Sequence, residues 1–357
     1  MEASSSDLPT HVTPRSGLRG DPGEAGCAGT PGGGRPAPAL TRKASVWRQV
    51  RINRWSYVYI APFLALVIVF TIYPLFASLG YTLYQWNGVG DPTQYVGLQN
   101  FERIVHDWIF WQAFGHTILY TVVLVPVQLL LALTLALVLN DRKLRFSTFY
   151  RAVYFIPAVT SAAIVAVVFQ LMLSNFGDSV SQALVGLHLV QHRIDWLGDP
   201  HAVLWIVIAI GIWNTLGYNL VYFLAGLQTI PGELYEAARI DGASAAGRFR
   251  HVTIPGLREV GLIILFLAVL GSLQVFDLVQ VLTGGGPYYA SEVVNTYIYH
   301  QAFGAGSLGG GGGAPAQPNV GFASAASFFY GLLLLVITGL QALAYGWMRR
   351  RRSRGVG

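Results

Sequence analysis

The chain has 357 residues, of which 53% are apolar and 11% charged, with a formal net charge of +6 and one cysteine. Soluble globular domains carry about 25% charged residues, so this composition, with a mean hydropathy of +0.49, argues against a soluble protein and predicts a polytopic membrane protein. The lone Cys27 leaves no disulfide framework and no cysteine-based metal site.

Residues 1–45, rich in Gly, Pro, Ala and Ser, bury too little apolar surface to offset chain entropy and are expected to form a disordered cytoplasmic tail. They contain no apolar core of a cleavable signal, so the first span is expected to serve as the targeting signal. A domain of membrane helices follows over 46–348. Apolar runs near the roughly 20 residues needed to cross the hydrocarbon core lie at 57–82, 115–139, 151–173, 202–224 and 259–282, with a sixth near 324–347. Pro126 is expected to kink the second span, and Gln128 and Gln170 to hydrogen-bond between helices. The first outer loop, 83–114, carries Trp86, Tyr95, Trp108 and Trp111, aromatics suited to a membrane-water interface. The third, 304–321, contains five consecutive glycines and reads as a flexible tether. Residues 349–357 form a basic tail.

Basic residues set the orientation. Lys43, Arg48, Arg51 and Arg54 precede the first span, and Arg142, Lys143, Arg145 and Arg151 separate the second from the third. Arg239, Arg248, Arg250 and Arg258 separate the fourth from the fifth, and Arg349 to Arg352 and Arg354 follow the sixth. The opposite loops hold only Arg103 and Arg193. By the positive-inside rule both termini are expected in the cytoplasm, which requires an even number of spans and fits six. The positive charge is thus accounted for by topology and contact with anionic membrane lipid. No clustered basic face with aromatic readers suggests nucleic acid.

The polar stretch between the fourth and fifth runs, ELYEAARIDGASAAGRFRHVTIP, is longer than a connection requires. Pro231 suits a first helical turn, and Glu233 and Glu236 complement the positive helix end. Leu234, Ala237, Ala238 and Ile240 offer an apolar face, and Gly242 can adopt the left-handed helix end. A second short helix is predicted over Ser244 to Val252, with Pro255 breaking toward the fifth span.

Glu236, Ala237 and Ala238, then Asp241, Gly242 and Ala243, then Phe249 and Ile254-Pro255, resemble the EAA loop of binding-protein-dependent ABC importer permeases. The resemblance extends from about Tyr57 to Trp347. YIAPFLALVIVFTIYPLFASL, RAVYFIPAVTSAAIVAVVF and the LTGGGP turn of VFDLVQVLTGGGPYYASEVVNTYIYHQAF point to the MalF/UgpA-type carbohydrate permeases. Ile254 stands where the family often has Leu, and a second proline near Arg258 is missing. The resemblance implies an all-α integral membrane protein with six transmembrane helices and the MetI-like fold of type I importers. It implies that the loop over 231–257, through Glu236, Ala237, Ala238, Asp241 and Gly242, docks into a separate ATPase on the cytoplasmic side. The expected partners are a second homologous permease, two ATP-binding subunits, an extracytoplasmic solute-binding protein and a carbohydrate or related polyol.

Polar residues in membrane helices normally face a cavity or another helix. The candidates for a substrate pathway are Trp213, Asn214, Tyr218, Asn219, Ser272, Gln274 and Asp277. Aromatic faces and amide or carboxylate groups together suit a sugar, and interhelical bonding explains such residues equally well. No GxxxxGK phosphate cradle, HExxH or GxSxG element is present, and His188, His192 and His201 share a loop without ligand-like spacing. No cofactor, metal or catalytic residue is therefore expected on this chain. Three alternatives remain: a permease of the same fold for another cargo, for example peptides or inorganic anions; a self-sufficient secondary transporter, disfavoured by spans nearly free of charge; and a membrane assembly or signalling protein.

Overall fold

The computed structural model describes residues 54–140, 145–175, 177–187, 195–304 and 317–353. The expected tail over 1–45, most of the glycine tether and residues 354–357 lie outside them, as do His188 and His192. The chain divides into two units, one ending at Phe63 and one beginning at Leu64. Of the first, residues 54–63 are described and begin helix α1, Arg54–Val67.

A π-turn at Ile68–Ile72 joins α1 to α2, Tyr73–Tyr81. Pro74 accounts for it. Proline donates no N–H and its ring presses on the carbonyl four residues back; widening the preceding turn lets the Tyr73 N–H reach Ile68 O instead. A small hairpin follows, β1 (Tyr84–Gln85) pairing antiparallel with β2 (Gln94–Tyr95). Helix α3, Gln99–His106, carries Asn100, fully buried, whose Nδ2 donates to Thr82 O at 2.8 Å and Tyr84 O at 3.0 Å. That amide ties the loop that follows the first span to the span's end.

Helix α4, Trp108–Leu139, runs as one helix through Pro126. Asp107 caps it: Oδ1 accepts from Ile109 N at 2.9 Å, and Oδ2 accepts from the Tyr297 hydroxyl at 2.5 Å. Burial first, and then this bond to Asp107, push the Tyr297 phenol well above its usual value.

The third span departs from expectation. In place of one helix over 151–173 there are two, α5 (Ser147–Val159) and α6 (Ala162–Asn175), bent by 92°. Pro157 lies in the last turn of α5, and Thr160 leaves the helix with φ −74° and ψ 137°. The bend frees the Pro157 carbonyl, because its helical donor four residues on lies past the break. Asn214 Nδ2 takes that place at 2.8 Å. Backbone groups at membrane depth need partners within the protein, so the broken span depends on this side chain.

Beyond α7 (Gly177–Gly186) comes α8, Val203–Gln228. Helices α9 (Gly232–Ile240) and α10 (Ala245–Arg248) form a polar hairpin. A π-turn at Phe249–Thr253 leads into α11, Ile254–Leu273, then α12, Asp277–Leu282. Pro255 therefore does not break the chain as expected. The Ile254 N–H reaches Phe249 O across the widened turn, the device already seen before Pro74. Helices α13 (Val294–Phe303) and α14 (Val320–Ser353) complete the fold, and α14 continues through Arg349 to Arg352, which the sequence had placed in a tail. Among the described residues, with the bent pair counted once, six segments are apolar and long enough to cross a membrane.

Among the described residues three apolar clusters make the core, and α4 runs through all of them. Phe110 and Ala113 pack with Tyr297, Phe322 and Tyr330; Tyr120 and Leu124 with Val165, Val207 and Val279; Ala132 and Ala136 with Leu220, Phe223 and Leu257. Small residues let helices approach. A Cβ on Gly217 of α8 would lie 2.5 Å from Tyr154 O and 2.9 Å from Ala158 Cβ on α5.

Gly217→Val is expected to destabilise the protein by about 1–3 kcal/mol through this overpacking. Gly331→Ala, where no neighbouring element comes within 4 Å of the added Cβ, should leave the thermal midpoint in detergent no lower, and about 1 kcal/mol of helix propensity can raise it. Because the folded pKa of Tyr297 is raised, the stability contributed by the neutral phenol is complete below about 10, the unfolded value, and is lost above it. Thermal midpoints at about pH 8 and 10.5 should therefore fall more for the wild type than for Tyr297→Phe.

Candidate functional site

Two regions collect the residues singled out by sequence. The first is the α9–α10 hairpin. Gly242 has φ +77°, Ala243 N donates to Ala238 O at 2.9 Å, and Gly242 N donates to Arg239 O at 3.1 Å. These are the two crossed bonds of a Schellman helix end, in which the residue after the glycine also packs on the helix's third-last position. Here those two positions are Ala243 and Ala238, so the Ala-Ala and Asp-Gly-Ala spacing has a structural meaning. Ser244 then caps α10, accepting from Gly247 N at 3.1 Å. The Tyr235 hydroxyl meets Thr253 Oγ1 at 3.1 Å and closes the hairpin.

No residue of α9 is buried. Ile240 is 86% exposed and Leu234 51%, and Glu236, Ala237, Asp241 and Gly242 are exposed beside them, with Ala238 half-buried. Among the described residues neither Glu236 nor Asp241 forms an ion pair. The hairpin thus presents apolar side chains and three carboxylates, Glu233, Glu236 and Asp241, outward.

The second region is a cavity of about 440 Å³ between α4, α6, α8, α11 and α12. Asn214, Tyr218, Asn219, Ser272, Gln274 and Asp277, six of the seven residues expected to face a pathway, line it. Trp213 does not. A helix turns about 100° per residue, so Trp213 points away from the Asn214–Tyr218 face, and its ring packs edge-on against Phe169 at 5.5 Å.

The polar groups here have mixed duties. Asn214 repairs the Pro157 carbonyl. Ser272 Oγ donates to Thr121 Oγ1 at 3.1 Å, and Asn219 Nδ2 donates to Thr215 O at 3.2 Å. Gln128, expected as an interhelical tie, accepts from Thr215 Oγ1 at 2.5 Å and also reaches the cavity. Gln170 instead lies exposed on α6. Gln274 and Asp277 are exposed to the cavity, and the Asp277 carboxylate makes no hydrogen bond among the described residues. Thr215, Tyr222, Tyr120 and Phe276 also line the space. Tyr222 was legible, standing four residues beyond Tyr218 and eight beyond Asn214. The lining carries no Lys, Arg or His, and Asp277 is its one carboxylate.

Residues 128–352 match the family described as "Binding-protein-dependent transport system inner membrane component". The chain is 36% identical over 309 residues to the lactose transport system permease protein LacF of Rhizobium radiobacter, covering 86% of this chain and 98% of that protein. It is 34% identical over 250 residues to the trehalose/maltose transport system permease protein MalF of Thermococcus litoralis, covering 70% and 84%. A bacterial alginate ABC transporter, solved in complex with an alginate pentasaccharide-bound periplasmic protein, superposes with a TM-score of 0.65 at 22% identity, covering 83% of this chain and 95% of that one. This chain belongs to the binding-protein-dependent transport system inner membrane components: it is a multi-pass ABC importer permease subunit with the MetI-like fold.

Asn214→Leu should leave the Pro157 carbonyl unpaired and lower stability by about 1–3 kcal/mol. Asp277→Asn, at a side chain without partners, should leave the thermal midpoint of the purified protein in place.

Proposed function

We propose that this permease carries a sugar or related polyol into the cytoplasm by alternating access, driven by ATP hydrolysis on separate subunits. The observation that carries the cargo assignment is the cavity. Its volume falls within the range of small-molecule sites, about 300–1,000 Å³, and its wall combines tyrosines with amides, hydroxyls and one carboxylate. Hydroxyl-rich neutral molecules satisfy such groups. An inorganic anion would meet Asp277 with no cation to offset it. The sugars named for the lactose and trehalose/maltose relatives support the same class.

In this reading the chain pairs with a second homologous permease, two ATP-binding subunits and an extracytoplasmic solute-binding protein. Both termini and the α9–α10 hairpin lie in the cytoplasm, as the distribution of basic residues supports. Leu234 and Ile240 enter a cleft of the ATPase, while Glu236 and Asp241 meet basic groups on it. Closure of the ATPase pair draws the hairpins together and turns the cavity from the outer to the inner side.

The test is uptake in proteoliposomes containing the whole importer. Glu236→Lys and Gly242→Val should each reduce sugar uptake at least about tenfold, some 1.4 kcal/mol of coupling, while ATP is still hydrolysed. Unchanged uptake in both variants would remove the hairpin from the coupling path.

A further inference from the structure

Helix α13 stands against the rim of the cavity. Asn295 Nδ2 donates to Val275 O at 3.3 Å, and Val275 is a lining residue. Asn295, Tyr299 and Phe303 follow one another at four-residue intervals and so share one helix face. Val294 and Tyr297 fix the opposite side in the core. On the shared face the rings form a series. Phe276, itself a lining residue, lies 5.3 Å from Tyr299 between centroids, and Tyr299 lies 4.9 Å from Phe303. Their planes are tilted by 54° and 45°. Exposure increases outward: Phe276 and Tyr299 are half-buried, and Phe303 is 62% exposed.

We propose that Phe276, Tyr299 and Phe303 form an aromatic subsite that holds a sugar ring at the rim before it enters the cavity. The proposal rests on the sugar reading given above. A pyranose presents a face of C–H bonds, and an aromatic ring presents a negative face that attracts them. Rings spaced along a helix give successive places to stack with little demand on where hydroxyls point. The exposed Gln274 and Asp277 stand beside Phe276 at the same rim and can take the hydroxyls of the stacked ring. Those two groups also select the occupant. A lipid chain or an apolar helix laid along the same rings would cover the unpartnered Asp277 carboxylate, which is unfavourable without a hydrogen-bonding partner. A sugar supplies that partner.

The experiment uses the complete importer in proteoliposomes, with radiolabelled lactose, trehalose and maltose as probes at subsaturating concentration and uptake normalised to assembled complex. Tyr299→Leu and Phe303→Leu keep apolar volume and remove the flat face, and Tyr299→Phe and Phe303→Tyr keep the face. The leucine variants are expected to lose uptake about tenfold through a raised KM, equivalent to about 1.4 kcal/mol, and the ring-retaining variants to recover at least about half of it. Leucine variants with wild-type uptake, or aromatic variants as impaired as the leucine ones, would overturn the subsite and leave the cargo assignment standing. A wild-type importer that takes up none of the three sugars, yet carries another class of solute, would overturn the cargo assignment and the subsite with it.

Discussion

A carbonyl at membrane depth must be hydrogen-bonded from within the protein, and in this chain the demand is sharpest at Pro157. There the third apolar segment ends one helix and begins another at 92°. The exchange of one backbone donor for the Asn214 side chain permits the bend. The bend brings Val165 and Ala166 of α6 into the cluster with Val279 and Leu282 of α12, and Ala162 into the cavity wall. A straight third helix would carry these residues elsewhere, and the space between α8 and α12 would lose one side. The cavity is therefore a product of the break, and one amide belongs to both.

The hairpin shows the opposite economy. Its residues are fixed locally, by a left-handed glycine, a backbone hydrogen bond between two alanines and a serine cap, and almost nothing of it is buried. Such a unit keeps its shape while leaving its outer surface free. Tyr235 and Thr253 fasten it to the start of α11, so it is tied at its open end as well as at its turn.

Most of the architecture was legible because long apolar runs are strong signals. Five spans match their apolar runs closely, although α4 begins well before its run because its first turn is largely aromatic, and α11 before its own because Arg258 delimits that run in the sequence. The hairpin was legible to the residue at Gly242. The cavity face was legible where spacing was respected and missed at Trp213, whose type suited a sugar but whose phase did not. The bend was hidden because Pro157 and Thr160 sit inside a run whose hydropathy is uniform, and hydropathy does not register direction. The two π-turns were hidden for a related reason: proline suggests a stop, and whether the turn before it widens depends on the helix continuing on the other side.

That continuation has a mechanical meaning. From Ala245 to Leu273 the chain is helical without interruption through the π-turn, a rod of roughly 44 Å at 1.5 Å per residue. One end is the hairpin's second helix, and the other carries Ser272 to the floor of the cavity. A rod pivoting where it crosses α4 and α8 behaves as a lever arm. In the coupling we propose, a push at Ser244 would reach Ser272 along this rod with its sense reversed, without a relay of side chains.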